Sequence, residues 1–261
     1  MQIVNLWQKG VFQLIVTSKG KDNRYTYGAT FNGVHSSEYG LDVLADKEIG
    51  LPDKTKITVD IPYSNNIIDL SDLYGSQAYG ERELKYPFHV MDRQDMQKER
   101  LYVLWQKAVN WLMAPSHKVG LVDDVDPHWH YLVEVQKAPS WEEFKSAHGT
   151  LEVTFTACPF RIKNDYEGND IWDTFNFDTD IAQFVDFDIV GSKDVVLYNI
   201  GLNGIIPTII SDSNMTLISG DTEIDVVTGE NTFDWNLGVG VTAIKIVGTG
   251  HISFRFYREE I

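Results

Sequence analysis

The chain has 261 residues, enough for two domains that each hold a core, and its 43% hydrophobic content with a mean hydropathy of −0.22 excludes a disordered protein. No apolar run approaches the roughly 18–20 residues of a membrane span, and the opening Met1-Gln2-Ile3-Val4-Asn5-Leu6 has neither the basic nor the apolar region of a signal peptide, so none is expected. A formal net charge of −16 argues against duplex DNA as a ligand, because that affinity comes mostly from Lys and Arg neutralising phosphates.

Residues 3–17 predict a hairpin, with Val11, Phe12, Leu14 and Val16 on its second strand, and Lys19 to Asn23 form a polar turn. Asn32-Gly33 predicts a tight turn at positive φ. The following His35-Ser36-Ser37 brings a base beside two hydroxyls, but it lacks an orienting acid and an oxyanion site and is read as non-catalytic. Ile57, Val59 and Ile61 alternate along Lys54–Ile61 as one face of a strand that Pro62 stops. From residue 63 to 80 runs a long loop whose Tyr63, Tyr74 and Tyr79 suit a contact surface. Tyr86, Phe88 and Val90 then mark another strand face.

Asp92, with Asp95 three residues on, is the expected N-cap of one long helix. Leu101, Leu104, Trp105, Ala108 and Leu112 form its apolar stripe, and Ala114-Pro115 ends it. Asp123-Asp124-Val125-Asp126-Pro127-His128-Trp129-His130 places two imidazoles one residue apart beside carboxylates. No further ligands follow at a metal-site spacing, so the segment is read as a solvated acidic turn before the strand Tyr131–Val135. Ser140 and Glu143 have capping-box spacing and predict a short helix with Trp141 and Phe144 on its apolar side.

The clearest strand is Gly149–Lys163, where Leu151, Val153, Phe155 and Ala157 alternate with Glu152, Thr154 and Thr156. Pro159 has no N–H for a ladder, so it ends this strand or marks where pairing stops. Cys158, the single cysteine, excludes an internal disulfide framework, fits assembly in a reducing cytoplasm, and reads as a small, partly buried residue. Asn164 to Asp170 is polar, with almost nothing to bury, and is the expected domain boundary. Beyond it the charge is more negative: residues 161–261 hold 6 Lys and Arg against 17 Asp and Glu, net −11, which leaves net −5 before them.

Past residue 170 short strands alternate with turns: Val185–Ile189, Val195–Tyr198, Thr208–Ile210, Met215–Ile218, Ile224–Val227, Thr232–Trp235, Ile244–Val247 and Ile252–Tyr257. Strands every 8–12 residues without helical periodicity predict an antiparallel sandwich. Phe175, Phe177, Phe184, Trp235, Phe254 and Phe256 are its expected core. Sandwiches of this class often stack sugars on exposed aromatics; Trp172 and Trp235 are candidates, with a core role favoured for both.

Four segments, in this order and spacing, resemble the distal tail protein (Dit) of long-tailed phages that infect Gram-positive bacteria. They are Phe31 to Ser37, Tyr79-Gly80-Glu81-Arg82-Glu83-Leu84-Lys85-Tyr86, the helix ending Asn110-Trp111-Leu112-Met113, and Leu151–Phe160. The resemblance covers about residues 1–160. It implies a mainly β ring domain with one long helix (α+β) over 1–163, followed by an all-β, galectin-like sandwich over 164–261. It also implies a structural virion protein of the tail, not an enzyme. Six copies would form a ring joining the tail tube to the baseplate or tip, and DNA would pass without being bound. Partners implied are the tail tube, tape measure, tip or lysin, and receptor-binding or baseplate proteins; no membrane, cofactor or metal is involved. Tyr63, Tyr74 and Tyr79 are the candidate subunit contacts, since a ring of identical chains needs a heterologous interface. The alternative is a carbohydrate-binding module that reads host cell-wall sugars through the sandwich.

Overall fold

Asn32 and Gly33 adopt φ of 51° and 76° and close the hairpin of β1 (Ala29–Phe31) and β2 (Val34–His35), as the Asn-Gly dipeptide predicts. The computed structural model describes residues 27–71, 73, 77–91, 97–141 and 148–261. The expected hairpin at 3–17, the turn at 19–23, Tyr74, Asp92, Asp95, Glu143 and Phe144 lie outside the described residues. A short 3-10 turn at Ser36–Tyr39 leads to β3 (Leu41–Val43) and β4 (Glu48–Ile49). Next come β5 (Thr58–Asp60), β6 (Ile67–Asp69) and β7 (Arg82–Met91). After the helix α1 (Lys98–Met113) follow β8 (Val119–Asp123), β9 (Asp126–Glu134), β10 (Ser140–Trp141) and β11 (His148–Lys163). The strands of the first sheet run β2-β1-β8-β9-β11-β7-β3, with β4 on β7 and β10 on β11, and every pairing is antiparallel.

Alternation on β11 has the predicted polarity: Leu151, Val153, Phe155 and Ala157 are buried, and Glu152 between them is exposed. Phe155 meets Phe31 at 5.4 Å and Tyr86 at 5.7 Å between ring centroids, joining three strands in one core. Pairing with β7 stops at Ala157, and the ladder to β9 slips between Ala157 and Arg161. Pro159 therefore sits in a bulge where pairing stops, and the strand resumes beyond it. The buried Arg82 guanidinium donates to the Pro159 carbonyl at 3.2 Å, which satisfies a group the bulge leaves free.

Helix α1 buries Leu101, Ala108, Trp111 and Leu112; Leu104 and Trp105 are half-buried, so the predicted stripe faces the core. Its start differs from expectation. Gln97 is extended (φ −96°, ψ 137°) and occupies the cap position without a side-chain capping bond to the helix, so the helix begins at Lys98. Ser140 and Trp141 pair with Glu152 and Leu151 as β10, and the short helix expected after them lies outside the described residues.

The second sheet is built on one long strand. It comprises β12 (Asp186–Asn199), β13 (Thr208–Ser211), β14 (Met215–Ser219), β15 (Thr222–Val226), β16 (Gly229–Asn231) and β17 (Gly240–Arg255). Its order is β15-β14-β17-β13-β16, with β12 along the other edge of β17 in unbroken register from Asp186↔Ser253 to Asn199↔Gly240. The two separate strands expected within each of β12 and β17 are thus continuous. Gly248 and Gly250, read as a turn, lie inside β17 at φ 150° and 145°. A Cβ on Gly248 would come within 2.8 Å of Met215 Cγ, so the glycine lets Met215 pack onto the strand. The expected strand Thr232–Trp235 is not formed; β16 ends at Asn231. Ile189, Leu197, Ile244, Ile246, Phe254 and Trp235 belong to a second buried core. β18 (Glu259–Glu260) then returns to the first sheet and pairs with Ile162 and Arg161 of β11.

Replacing Phe155 by Ala removes a fully buried ring that touches two others, and is expected to cost about 3–5 kcal/mol in denaturant unfolding. A loss under about 1 kcal/mol would mean that the site collapses around the missing ring.

Candidate functional site

The acidic segment at 123–130 is in part the turn expected, at Asp124-Val125 with Val125, Pro127 and His128 exposed, but its first carboxylate is held inside the first sheet. Asp123 is buried and accepts from Tyr86 Oη at 2.8 Å and Tyr27 Oη at 2.9 Å, and Lys47 pairs with it. Burial pushes its carboxyl up, but Lys47, the Val125 N–H and the two tyrosines outweigh that and hold it below the usual carboxylate range. Asp124 accepts from the Gly28 N–H at 2.9 Å and pairs with His35 Nε2 at 3.0 Å. His35 Nδ1 lies 2.7 Å from Ser37 Oγ and also accepts from the Ser37 N–H. An Asp–His–Ser line therefore exists, with an acid that the sequence alone did not reveal, yet its imidazole caps the 3-10 turn that carries the serine. His130 is taken up by Asn164 at 2.7 Å while His128 is exposed. Among the described residues no group of three or more His, Cys, Asp or Glu is placed to hold a metal.

Where β11 leaves the first sheet, charges are drawn out of water. Lys163 Nζ donates to Asp180 Oδ2 at 2.7 Å, and Arg258 Nη2 pairs with Asp180 Oδ1 at 2.8 Å. Glu167 Oε1 stands 3.7 Å from Lys163 and 3.9 Å from Arg258, beyond hydrogen-bond reach. All four side chains are at least nine-tenths buried. Close donors hold the Asp180 carboxyl low against its burial, whereas burial pushes Glu167 up. The segment after Asn164, expected to bury almost nothing, is thus anchored, and the Glu167 N–H also donates to the Phe256 carbonyl. Arg161 completes the seam, bonding Asp126 and Glu260 and lying over Trp129 at 4.4 Å.

Between Gly50 and Gly80 the chain leaves the first sheet as an arm. Its root is tied by Gly50 N–H to the Glu83 carbonyl at 2.9 Å, by Arg82 Nε to the Gly50 carbonyl at 2.6 Å, and by a Lys54↔Tyr79 bridge. A Cβ on Gly50 would meet the Glu83 carbonyl oxygen at 2.5 Å, so only glycine fits this approach. β5 and β6 form the arm's hairpin, and every residue from Asp53 to Asp69 is exposed. Within the expected 63–80 loop, Ile67–Asp69 is therefore strand. The predicted face of Ile57, Val59 and Ile61 exists, and Val59 pairs with Ile68 across it, but it faces solvent instead of a core. Tyr63 sits fully exposed in the turn at φ 63°. Tyr79 is half-buried at the root with its ring edge-on to Phe160 at 5.4 Å. The structure thus separates these two tyrosines instead of grouping them.

A second apolar surface lies just beyond the charged seam. Trp172, in a short 3-10 turn (Trp172–Thr174), is 63% exposed and packs on Phe175 at 5.3 Å, which in turn meets Phe177 at 5.1 Å. Phe177 and Phe184 are 81% and 84% exposed. None of the three, Trp172 included, takes the core place expected of it, because residues 171–184 form no strand that would turn the rings inward. Trp235, Phe254 and Phe256 are buried as expected. Beside the rings lies a cavity of about 320 Å³, lined among others by Lys163, Glu167, Asp170, Trp172, Phe175 and Phe184.

Removing one partner from a buried ion pair leaves the others uncompensated, so Asp180→Asn is expected to lower stability by about 3–5 kcal/mol. Glu167→Gln, which loses no close bond, should change it by under about 1 kcal/mol. Equal losses for the two in denaturant melts would refute this division. The His35–Asp124 pair has a pH window. Asp124 raises the His35 pKa, against burial, so that stabilisation is full below the unfolded value of about 6.5 and is lost as pH rises through the folded one. Burial raises the Asp124 carboxyl, but His35 and the Gly28 N–H outweigh it. Its contribution is therefore present above about pH 3.9 and lost as pH falls through its lowered value. The melting-temperature deficit of Asp124→Asn should be about 1–3 °C larger at pH 5.5 than at pH 8.5, and equal deficits at the two pH values would exclude the linkage.

No family model matches the chain, and no curated protein matches it by sequence. Among solved structures it is similar to the SPP1 Dit protein, described as a paradigm of the hub adsorption apparatus in phages that infect Gram-positive bacteria. The TM-score is 0.60 at 14% sequence identity, over 91% of this chain and all of that one. The chain therefore has a Dit-like, mainly β fold with one α-helix among the described residues, and the likeness spans both sheets.

Proposed function

We propose that this protein is a structural tail hub. Six copies close into a ring between the tail tube and the baseplate or tip of a virion, and DNA passes through without being bound. In this reading residues 1–163 form the ring, and residues 164–261 form an outward, galectin-like sandwich. Tail tube, tape measure, tip or lysin, and receptor-binding or baseplate proteins are its partners. The likeness to a hub protein supports the role. The observation that carries the assembly is the arm: a hairpin with Ile57, Val59, Ile61 and Ile68 on one face, all in water.

An isolated two-stranded hairpin is marginal by itself, and apolar faces left in water mark contact sites. A second copy of this chain is the occupant the arm fits, because ring closure needs one projecting surface per subunit that meets a different surface on the next. Tyr63, in the turn between β5 and β6, reaches furthest into the neighbour, Tyr79 makes its contact at the root of the arm, and Tyr74 is the third contact of this reading. A chain of net charge −16 has little to hold phosphate, which suits a channel for a polyanion.

Light scattering on the full chain should give about 178 kDa, six times the 29.7 kDa chain mass. A double change, Val59→Asp with Ile68→Asp, should weaken association by at least about tenfold, or 1.4 kcal/mol, and leave the thermal melt of the subunit unchanged. A parent protein that stays monomeric overturns the ring, and a variant that assembles as well as the parent overturns the role of the arm.

A further inference from the structure

We propose that the cavity beside Trp172 is a binding site for the ring of a neutral saccharide. Its shape and size suit that class: at about 320 Å³ it lies at the small end of ligand cavities, roughly 300–1,000 Å³. Its rim carries aromatic surface that the fold leaves in water, since Trp172 is packed on Phe175 and Phe177 yet mostly exposed. A large aromatic face beside a wet rim is a platform for the C–H face of a pyranose.

The polar groups of the cavity favour a hydroxyl-bearing ligand. Glu167 lines it, with its Oε1 buried at ion-pair distance from Lys163 and Arg258. Asp170 stands exposed at the rim as the acceptor open to a ligand hydroxyl. Other polar liners are already occupied: Gln183 exchanges two bonds with the Tyr198 backbone, and the Asn169 amide bonds Tyr166 and Ile171. A cationic donor is disfavoured, because Lys163 lies 3.7 Å from the Glu167 acceptor and Arg258 only 3.9 Å from it. An anion is disfavoured by Asp170, Asp180 and Glu167. A neutral polyol with one apolar face meets all of these conditions.

This inference does not depend on ring formation, and its readout is unaffected by oligomeric state. Saturation-transfer NMR on the full chain with glucose, galactose and N-acetylglucosamine, each presented singly, should show transfer to sugar C–H protons at a Kd on the order of 1 mM. Trp172→Ala should cut that transfer at least about fivefold, on the order of 1 kcal/mol; because the side chain is exposed, the thermal melt should not change. Trp172→Phe, which keeps an aromatic face, should retain most of it, and Asp170→Asn should weaken it. No transfer to any of the three sugars overturns the proposal. So does transfer that Trp172→Ala leaves unchanged, and so does transfer to choline in place of the sugars, which would make the site an ammonium cage.

Discussion

Lys163 and Arg258 lie buried against Asp180 and Glu167 at the point where the chain passes from one sheet to the other, and the attachment of the two sheets depends on that cluster. Its backbone and side chains work together. The Lys163 N–H donates to the Arg258 carbonyl, and the next residues pair as Ile162↔Glu259 and Arg161↔Glu260. Taking four ionic groups from water costs several kcal/mol per ion, and an apolar seam of equal volume would be at least as stable. The charges supply register. Asp180 has one oxygen on each cation, so a slip of β18 along β11 would part Arg258 from it and leave that buried cation without its close carboxylate.

The arm obeys the opposite rule, with a polar root and an apolar working face. Arg82 is buried and divides its bonds between the Gly50 carbonyl, where the arm leaves, and the Pro159 carbonyl, where the central strand bulges. The proline that interrupts the ladder thus frees a carbonyl that helps to fix the arm. Beyond that root the chain buries almost nothing for seventeen residues, Asp53 to Asp69, although its strands carry good β-formers. Those side chains contribute nothing to the core of the described residues, which is what makes the arm the candidate contact surface.

Elements set by local periodicity were legible in the sequence. The alternation of β11, the Asn-Gly turn and the stripe of α1 depend on neighbours two to four residues away, and each forms. Groups whose environment is assembled from distant segments were not legible. Asp123 is buried by Tyr27, Lys47 and Tyr86, and Glu167 by the region around Arg258; no spacing rule reports such partners. Glycine misled twice over in β17: Gly248 and Gly250 carry turn chemistry, but their positive φ is used within an extended strand to admit Met215. Periodicity finds an apolar face without saying what covers it. Ile57, Val59 and Ile61 alternate as well as Val153, Phe155 and Ala157 do, yet one set meets water and the other a core. For the same reason Phe177 and Phe184, identical in type to Phe254, gave no sign of their exposure.

Both exposed apolar elements, the arm and the aromatic surface at 171–184, arise directly from a root of buried cations: Arg82 for one, Lys163 and Arg258 for the other. The pairing has a physical reason. A flexible apolar segment in water loses conformational freedom when it docks, and each ordered side chain subtracts roughly 0.5–1.5 kcal/mol from the association. An apolar root would hold such a segment in place but let it slide and reorient, because burial is non-directional. Guanidinium and ammonium groups that reach named carbonyls and carboxylates fix direction as well as position. The bulge at Pro159 and the return of β18 are then two places where the first sheet gives up regular pairing and an outward element leaves it at a set angle.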